Sequence, residues 1–232
     1  MLIVFDHWFT FPDNSAVDFV FRDYHDRHAE LATMFHRHMN ELSLYLSSIR
    51  KFSKFDKLCL YALDLALHDM EIELNLEQRE EIVERLHRLQ YYDDLSDCLQ
   101  QLKDDHHTLV LHTGTSISAA KETLERNGIK QIDHIISAED HYPALFPSMD
   151  PIKYMSQKFI EEGLINSTSE IVFVSGSPYS CGAVKSSNIP GLKAVRVVRP
   201  PRALACFGFS PCPNKVVNNF QQLTSVVQEL SL

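Results

Sequence analysis

Long apolar runs are absent, and none reaches the length of a membrane-spanning helix. The first residues carry no basic stretch ahead of an apolar core and a cleavage site, so no secretory signal is expected. Basic charge is scarce as well. Lys and Arg number 22 against 31 Asp and Glu, a net charge of −9, which argues against a non-specific nucleic-acid binder that must release counterions. Cysteines are few and odd in number (Cys59, Cys98, Cys181, Cys206, Cys212) with no CxxC pair. Reduced thiols in a cytoplasmic protein are therefore expected, although the Pro-rich tail could bring Cys206 and Cys212 together. Internal repeats and low-complexity segments are missing too. Histidine alone is abundant, twelve in all. His25, His28, His36, His38, His106 and His107 lack the spacing of zinc ligands, so they are expected as solvated helix-face residues and no metal is expected.

At 232 residues and 44% hydrophobic content, the chain can bury a substantial core. Leu2 to Phe5 is too short for a helix and reads as a strand buried on both faces, delivering Asp6 to its C-terminal lip. Leu109-Val110-Leu111-His112 leads into Thr113-Gly114-Thr115-Ser116, and Ile171-Val172-Phe173-Val174 leads into Ser175-Gly176-Ser177. A carboxylate is costly to bury without partners, and the C-terminal ends of parallel strands are where open α/β sheets place ligands. Asp6, Thr113 and Ser175 are thus expected to converge at one sheet edge.

Between residues 16 and about 105 strand signals are nearly absent. Leu58, Tyr61 and Leu65, with Leu63, Leu67 and Met70, repeat at helical spacing and are expected in a core. Asn75 and Gln78 form a capping-box pattern, and Leu95, Leu99 and Leu102 mark a further amphipathic helix. From residue 108 strands and helices alternate. Ser116, Asp150-Pro151 and Ser177-Pro178 start helices, Gly128 and Gly163 end them, and Ala194 to Val198 is a further strand. An irregular tail then leads to a helix at about 219–230. The rhythm implies a doubly wound parallel α/β sheet with right-handed crossovers, interrupted by a helical insertion.

The order and spacing of Val4-Phe5-Asp6 through Thr10, Leu109 to Ser116, Asp133 to Glu139, Asp150-Pro151 and Val172 to Gly182 resemble the haloacid dehalogenase (HAD) superfamily, in its L-2-haloacid dehalogenase-like branch. The resemblance implies a Rossmann-like core at 1–12 and 105–232 and a helical cap at 13–104. It places Asp6 as a nucleophile or acid/base, Thr113 as a hydrogen-bonding partner of Asp6, and Ser175 beside them. Trp8, Thr10, Gly114, Ser177 and Tyr179 then face the substrate, with Tyr142 as a further aromatic wall. Trp8 stands where HAD phosphatases keep a second Asp, which implies metal-independent chemistry without a cofactor. The expected partner is a small organic substrate, and a homodimer is allowed.

The sequence also departs from the family. Ser148 replaces a lysine, Ser180 replaces a late acid, and Phe9 stands where a glycine is usual. Lys153, Lys158 and Arg22 are the candidates for the missing cation. Two readings follow: a divergent hydrolase, or a degenerate HAD fold that binds a ligand or serves as a scaffold.

Overall fold

The computed structural model describes residues 1–8, 10–141, 144, 147–199 and 211–231. Phe9, Tyr142 and Cys206 lie outside the described residues. The chain runs through β1 (Leu2–Asp6), the helices α1 (Asn14–Arg22), α2 (His28–Ser48), α3 (Phe55–Asp69), α4 (Leu76–Leu86) and α5 (Leu95–Asp104), then β2 (Thr108–Thr113) and α6 (Ile117–Arg126). It continues through β3 (His134–Ser137), α7 (Asp150–Glu161), β4 (Ile171–Ser175), α8 (Pro178–Ser186), β5 (Lys193–Val197), β6 (Lys215–Val217) and α9 (Phe220–Ser231). The six strands form one all-parallel sheet in the order β3-β2-β1-β4-β5-β6. Its order reverses at β1, which is where ligand crevices form in such sheets.

Strand burial follows from coverage on both faces. Phe5, Leu111, Val174 and Val195 pack on one side with α5, α6 and α9. Leu2, Val4, Val110, Phe173 and Ala194 pack on the other with α7 and α8. The helix signals act as expected. Gln78 N donates to Asn75 Oδ1 and Asn75 N to Gln78 Oε1, closing the capping box, while Ser116 Oγ accepts from Ala119 N. Gly128 and Gly163 end their helices at φ +70°.

Helices α1 to α4 share a separate core built on Phe21, Leu31, Phe35, Leu63 and Ile82. One antiparallel bridge between Pro12 and Tyr91 lies where the chain enters and leaves this core, with Tyr92 N donating to Phe11 O and Asp13 N to Gln90 O. Helix α5 packs with the sheet through Leu95, Leu99 and Leu102, so by packing the insertion ends near residue 90, not 104. Its apolar stripe would suit either body.

Other expectations need correction. In α3, Leu58, Leu63 and Leu67 are buried, but Tyr61 and Leu65 are exposed, because Ala62 and Ala66 complete the inward stripe. His38 is not solvated: it lies buried between Glu41 and Asp69, bridging α2 and α3. The tail is not wholly irregular, since Lys215–Val217 adds an edge strand after Pro211 and Pro213. Cys212 is disulfide-bonded, against the expectation of reduced thiols, whereas Cys59, Cys98 and Cys181 are free and buried.

Gly191 offers a direct test of the β4–β5 connection. Its φ is +73°, and a Cβ there would lie 2.6 Å from Ser169 Cβ and 2.8 Å from Ser169 Cα. Gly128 has a similar φ of +70° but open space around it. Gly128→Ala is expected to cost about 1 kcal/mol and Gly191→Ala about 3 kcal/mol in urea unfolding, the excess measuring the clash. Equal losses would show that the backbone yields around Gly191.

Candidate active site

The face of the sheet that is apolar at Leu2, Val4, Val110, Phe173 and Ala194 turns polar at its C-terminal edge. Asp6 pairs in register with His112, and Ser175 with Arg196. Phe5 pairs with Val174, so Asp6 and Ser175 come next in that ladder. Registered residues on neighbouring parallel strands project to one face. His112, Asp6, Ser175 and Arg196 therefore form a polar row across four strands, each at most 6% exposed.

Ser175 Oγ donates to Asp6 Oδ2 at 2.7 Å and accepts from Ser177 N at 3.0 Å. The second carboxylate oxygen, Oδ1, lies 3.9 Å from His112 Nδ1. This is too long for a direct hydrogen bond. Arg196 Nε donates to Gly176 O at 3.3 Å, placing a guanidinium beside the loop after β4. Thr10 Oγ1 accepts from Gly176 N at 3.2 Å, tying the first loop to that same loop. Ser177 caps α8 by accepting from Ser180 N at 3.3 Å. Ser180 is buried in the first turn, and Tyr179 is half-buried beside it.

Thr113 belongs to a different network. Its Oγ1 lies 3.1 Å from His7 Nδ1 and 3.0 Å from Thr115 Oγ1. His7 Nε2 in turn lies 2.5 Å from the Tyr91 hydroxyl. Burial lowers the His7 pKa to about 4; the charge on Asp6 opposes this, and His87 and His112 add to it. The ring is therefore neutral at pH 7, with one nitrogen donating and the other accepting. The expected bond from Thr113 to Asp6 is not among those the described residues make. One residue along a strand reverses the side-chain face, and Asp6 pairs with His112 rather than Thr113.

The three candidate cations stand elsewhere. Lys158 pairs with Glu162 at 2.7 Å, the Arg22 guanidinium sits over the Phe19 ring, and Lys153 is exposed. Ser148 Oγ accepts from Asp150 N at 3.2 Å, a turn role. The residues that surround Asp6 were legible only in part: His112 and Arg196 lie within strand sequences, where a polar residue reads as an isolated exception. Cys181 is no rival nucleophile, because burial, reinforced by the charge on Asp6, raises its thiol pKa to about 12.

Two cavities lie on the side of the helical insertion, and Asp6, Ser175 and His112 line neither of them. A cavity of about 20 Å³, roughly the size of one water, is lined by His7, Trp8, Phe55, Tyr91, Thr113 and Gly114. It shares Phe55, His87, Thr115 and Thr123 with a cleft of about 480 Å³ between α3, α4 and α6. That volume suits a small organic ligand. Trp8 packs edge-on against Phe55 at 4.8 Å between ring centroids, and its Nε1 is buried with no hydrogen-bond partner among the described residues. A Cβ built on Gly114 would lie 3.8 Å from Phe55 Cδ2. Lys54 and Glu139, 2.9 Å apart, tie the insertion to the sheet domain across the mouth of the cleft.

No protein-family model and no curated protein matches the sequence. Solved structures do match. An L-2-haloacid dehalogenase from Xanthobacter autotrophicus with chloropropionic acid covalently bound is 19% identical, covers 98% of this chain and 99% of its own, and superposes with a TM-score of 0.82. The L-2-haloacid dehalogenase RSc1362 is 14% identical over 98% of each chain, with a TM-score of 0.85. The HAD-hydrolase YfnB from Bacillus subtilis, bound to magnesium, is 15% identical over 98% of each chain, with a TM-score of 0.72. The chain has the fold of L-2-haloacid dehalogenases and HAD hydrolases: a parallel Rossmann-like sheet with helices on both faces. No helix among the described residues is long and apolar enough to cross a membrane.

Proposed function

We propose that the chain is a divergent HAD-type hydrolase that acts on a small organic molecule through Asp6 as nucleophile. The observation that carries this reading is the state of the Asp6 carboxylate. It is buried at the switch point of the sheet, with Oδ2 held by Ser175 and Oδ1 turned toward His112. A scaffold gains nothing from keeping an acid under that desolvation cost, whereas a nucleophile gains from being fixed and dry.

The chemistry begins with attack of Oδ1 on an electrophilic carbon. The carbon–oxygen bond forms, the leaving group departs with its electron pair, and an ester of Asp6 remains. Trp8, Thr10, Gly114, Ser177 and Tyr179 are the residues assigned to the substrate. Magnesium does not fit this set. Trp8 and Ser180 stand where a second and a third carboxylate would be required, and Mg²⁺ demands several oxygen ligands in octahedral array.

Without the family lysine at Ser148 or the acid at Ser180, turnover of simple 2-haloacids is expected to be slow. Purified protein assayed against 2-haloacids and phosphate monoesters, with Mg²⁺ and with chelator, tests this. Slow halide release indifferent to chelator is the expected outcome. Phosphatase activity abolished by chelator would contradict it.

A further inference from the structure

We infer that His112 is the general base that releases product from Asp6, taking over the task left vacant by the absence of an acid at Ser180. The inference rests on the reading of Asp6 as nucleophile. His112 is registered against Asp6, shares its face of the sheet, is 4% exposed, and holds Nδ1 3.9 Å from Oδ1. Once Asp6 carries an ester, a water attacking its Cγ from the side of His112 would stand within reach of that nitrogen.

The neighbours are poorer candidates. Arg196 stays protonated and cannot accept. Ser175, Ser177 and Ser180 are hydroxyls without basicity at neutral pH, and the first two already take backbone or carboxylate bonds. His7 uses both ring nitrogens on Thr113 and Tyr91. Imidazole is also the usual general base near neutral pH.

The step balances as follows. The water oxygen bonds to Cγ while its proton passes to His112. The tetrahedral intermediate collapses by breaking the bond from Cγ to the ester oxygen, and the departing alkoxide takes the proton back from His112. The new carboxylic acid on Asp6 loses its proton to solvent, restoring the starting carboxylate.

Bromoacetate, a small activated haloacid, serves as the probe. Wild type, His112→Gln and His112→Ala are incubated with it, the Asp6 peptide is followed by mass spectrometry, and glycolate release is timed. All three proteins are expected to form the Asp6 ester, which also reports that the variants fold. Glycolate release is expected to fall about 100-fold or more in both variants, so that the ester accumulates. Added imidazole should restore release in His112→Ala, which a purely structural role would not allow. Release from His112→Gln at the wild-type rate overturns the inference, and so does loss of ester formation together with release, which would make His112 a support for the attack. Absence of the ester in all three proteins removes the nucleophile reading itself, and the inference falls with it.

Discussion

Replacing Asp6 by asparagine is expected to lower turnover by at least about 1000-fold, equivalent to about 4 kcal/mol of transition-state stabilisation. The amide matches the carboxylate in shape, so the Ser175 hydroxyl keeps an oxygen to donate to in place of the 2.7 Å bond to Oδ2. The nucleophilic electron pair is lost. Removing a buried charge should leave stability unchanged or raise it, because the native carboxylate bears a desolvation cost that Ser175 and the neighbouring row offset. An inactive variant that melts no earlier than the parent is thus the expected pair of results, read from halide release and a thermal melt. Ser180→Ala serves as the contrast and should retain activity, since that hydroxyl has no basic role. Full activity in Asp6→Asn would remove Asp6 from the mechanism.

Acid should destabilise the fold through His7. Its pKa is about 4 in the folded protein against 6.5 for a free histidine, so the unfolded chain binds more protons between these values. The stabilising contribution is complete above about pH 6.5 and is lost progressively as pH falls toward 4. Between pH 7.5 and 5 the loss from this one group is about 2 kcal/mol. The structural cause is burial of the ring, which sits between Thr113 and Tyr91, where a charged imidazole loses its hydration. Tyr91 also lies at the crossing between the sheet and the helical insertion, bridged to Pro12. Loosening there should uncouple the two bodies first. Urea unfolding at the two pH values, in wild type and His7→Gln, checks this: the variant should be less stable at pH 7.5 yet lose about 2 kcal/mol less on acidification. Parallel losses in both proteins would place the acid sensitivity elsewhere.

The strands and their order of polar termini could be read from the sequence because both depend on local pattern. Apolar runs of four or five residues, closed by Asp6, Thr113 or Ser175, admit few structures other than buried parallel strands. Asn75, Ser116, Ser177, Gly128 and Gly163 act within a turn of themselves, and each marks the boundary expected of it. What escaped depends on partners distant in sequence. Helix α5 presents Leu95, Leu99 and Leu102 to whichever apolar surface is nearest, and only the folded chain puts α9 and the sheet there. The three-residue strand at Lys215–Val217 owes its existence to the edge offered by β5 rather than to its own pattern. At the site, the resemblance pointed to Thr113, but register assigns the place beside Asp6 to His112. A one-residue difference is invisible in a motif and decisive on a sheet, where alternate side chains face opposite sides.

The most direct measurement is the fate of solvent oxygen. With enzyme in excess over bromoacetate in ¹⁸O-water, an ester mechanism takes the product oxygen from Asp6 and returns solvent oxygen to it. After one turnover the peptide containing Asp6 should carry ¹⁸O and the glycolate hydroxyl should be unlabelled. Label in the glycolate hydroxyl, with none in the Asp6 peptide, would mean that water attacks the substrate directly and that Asp6 is not the nucleophile.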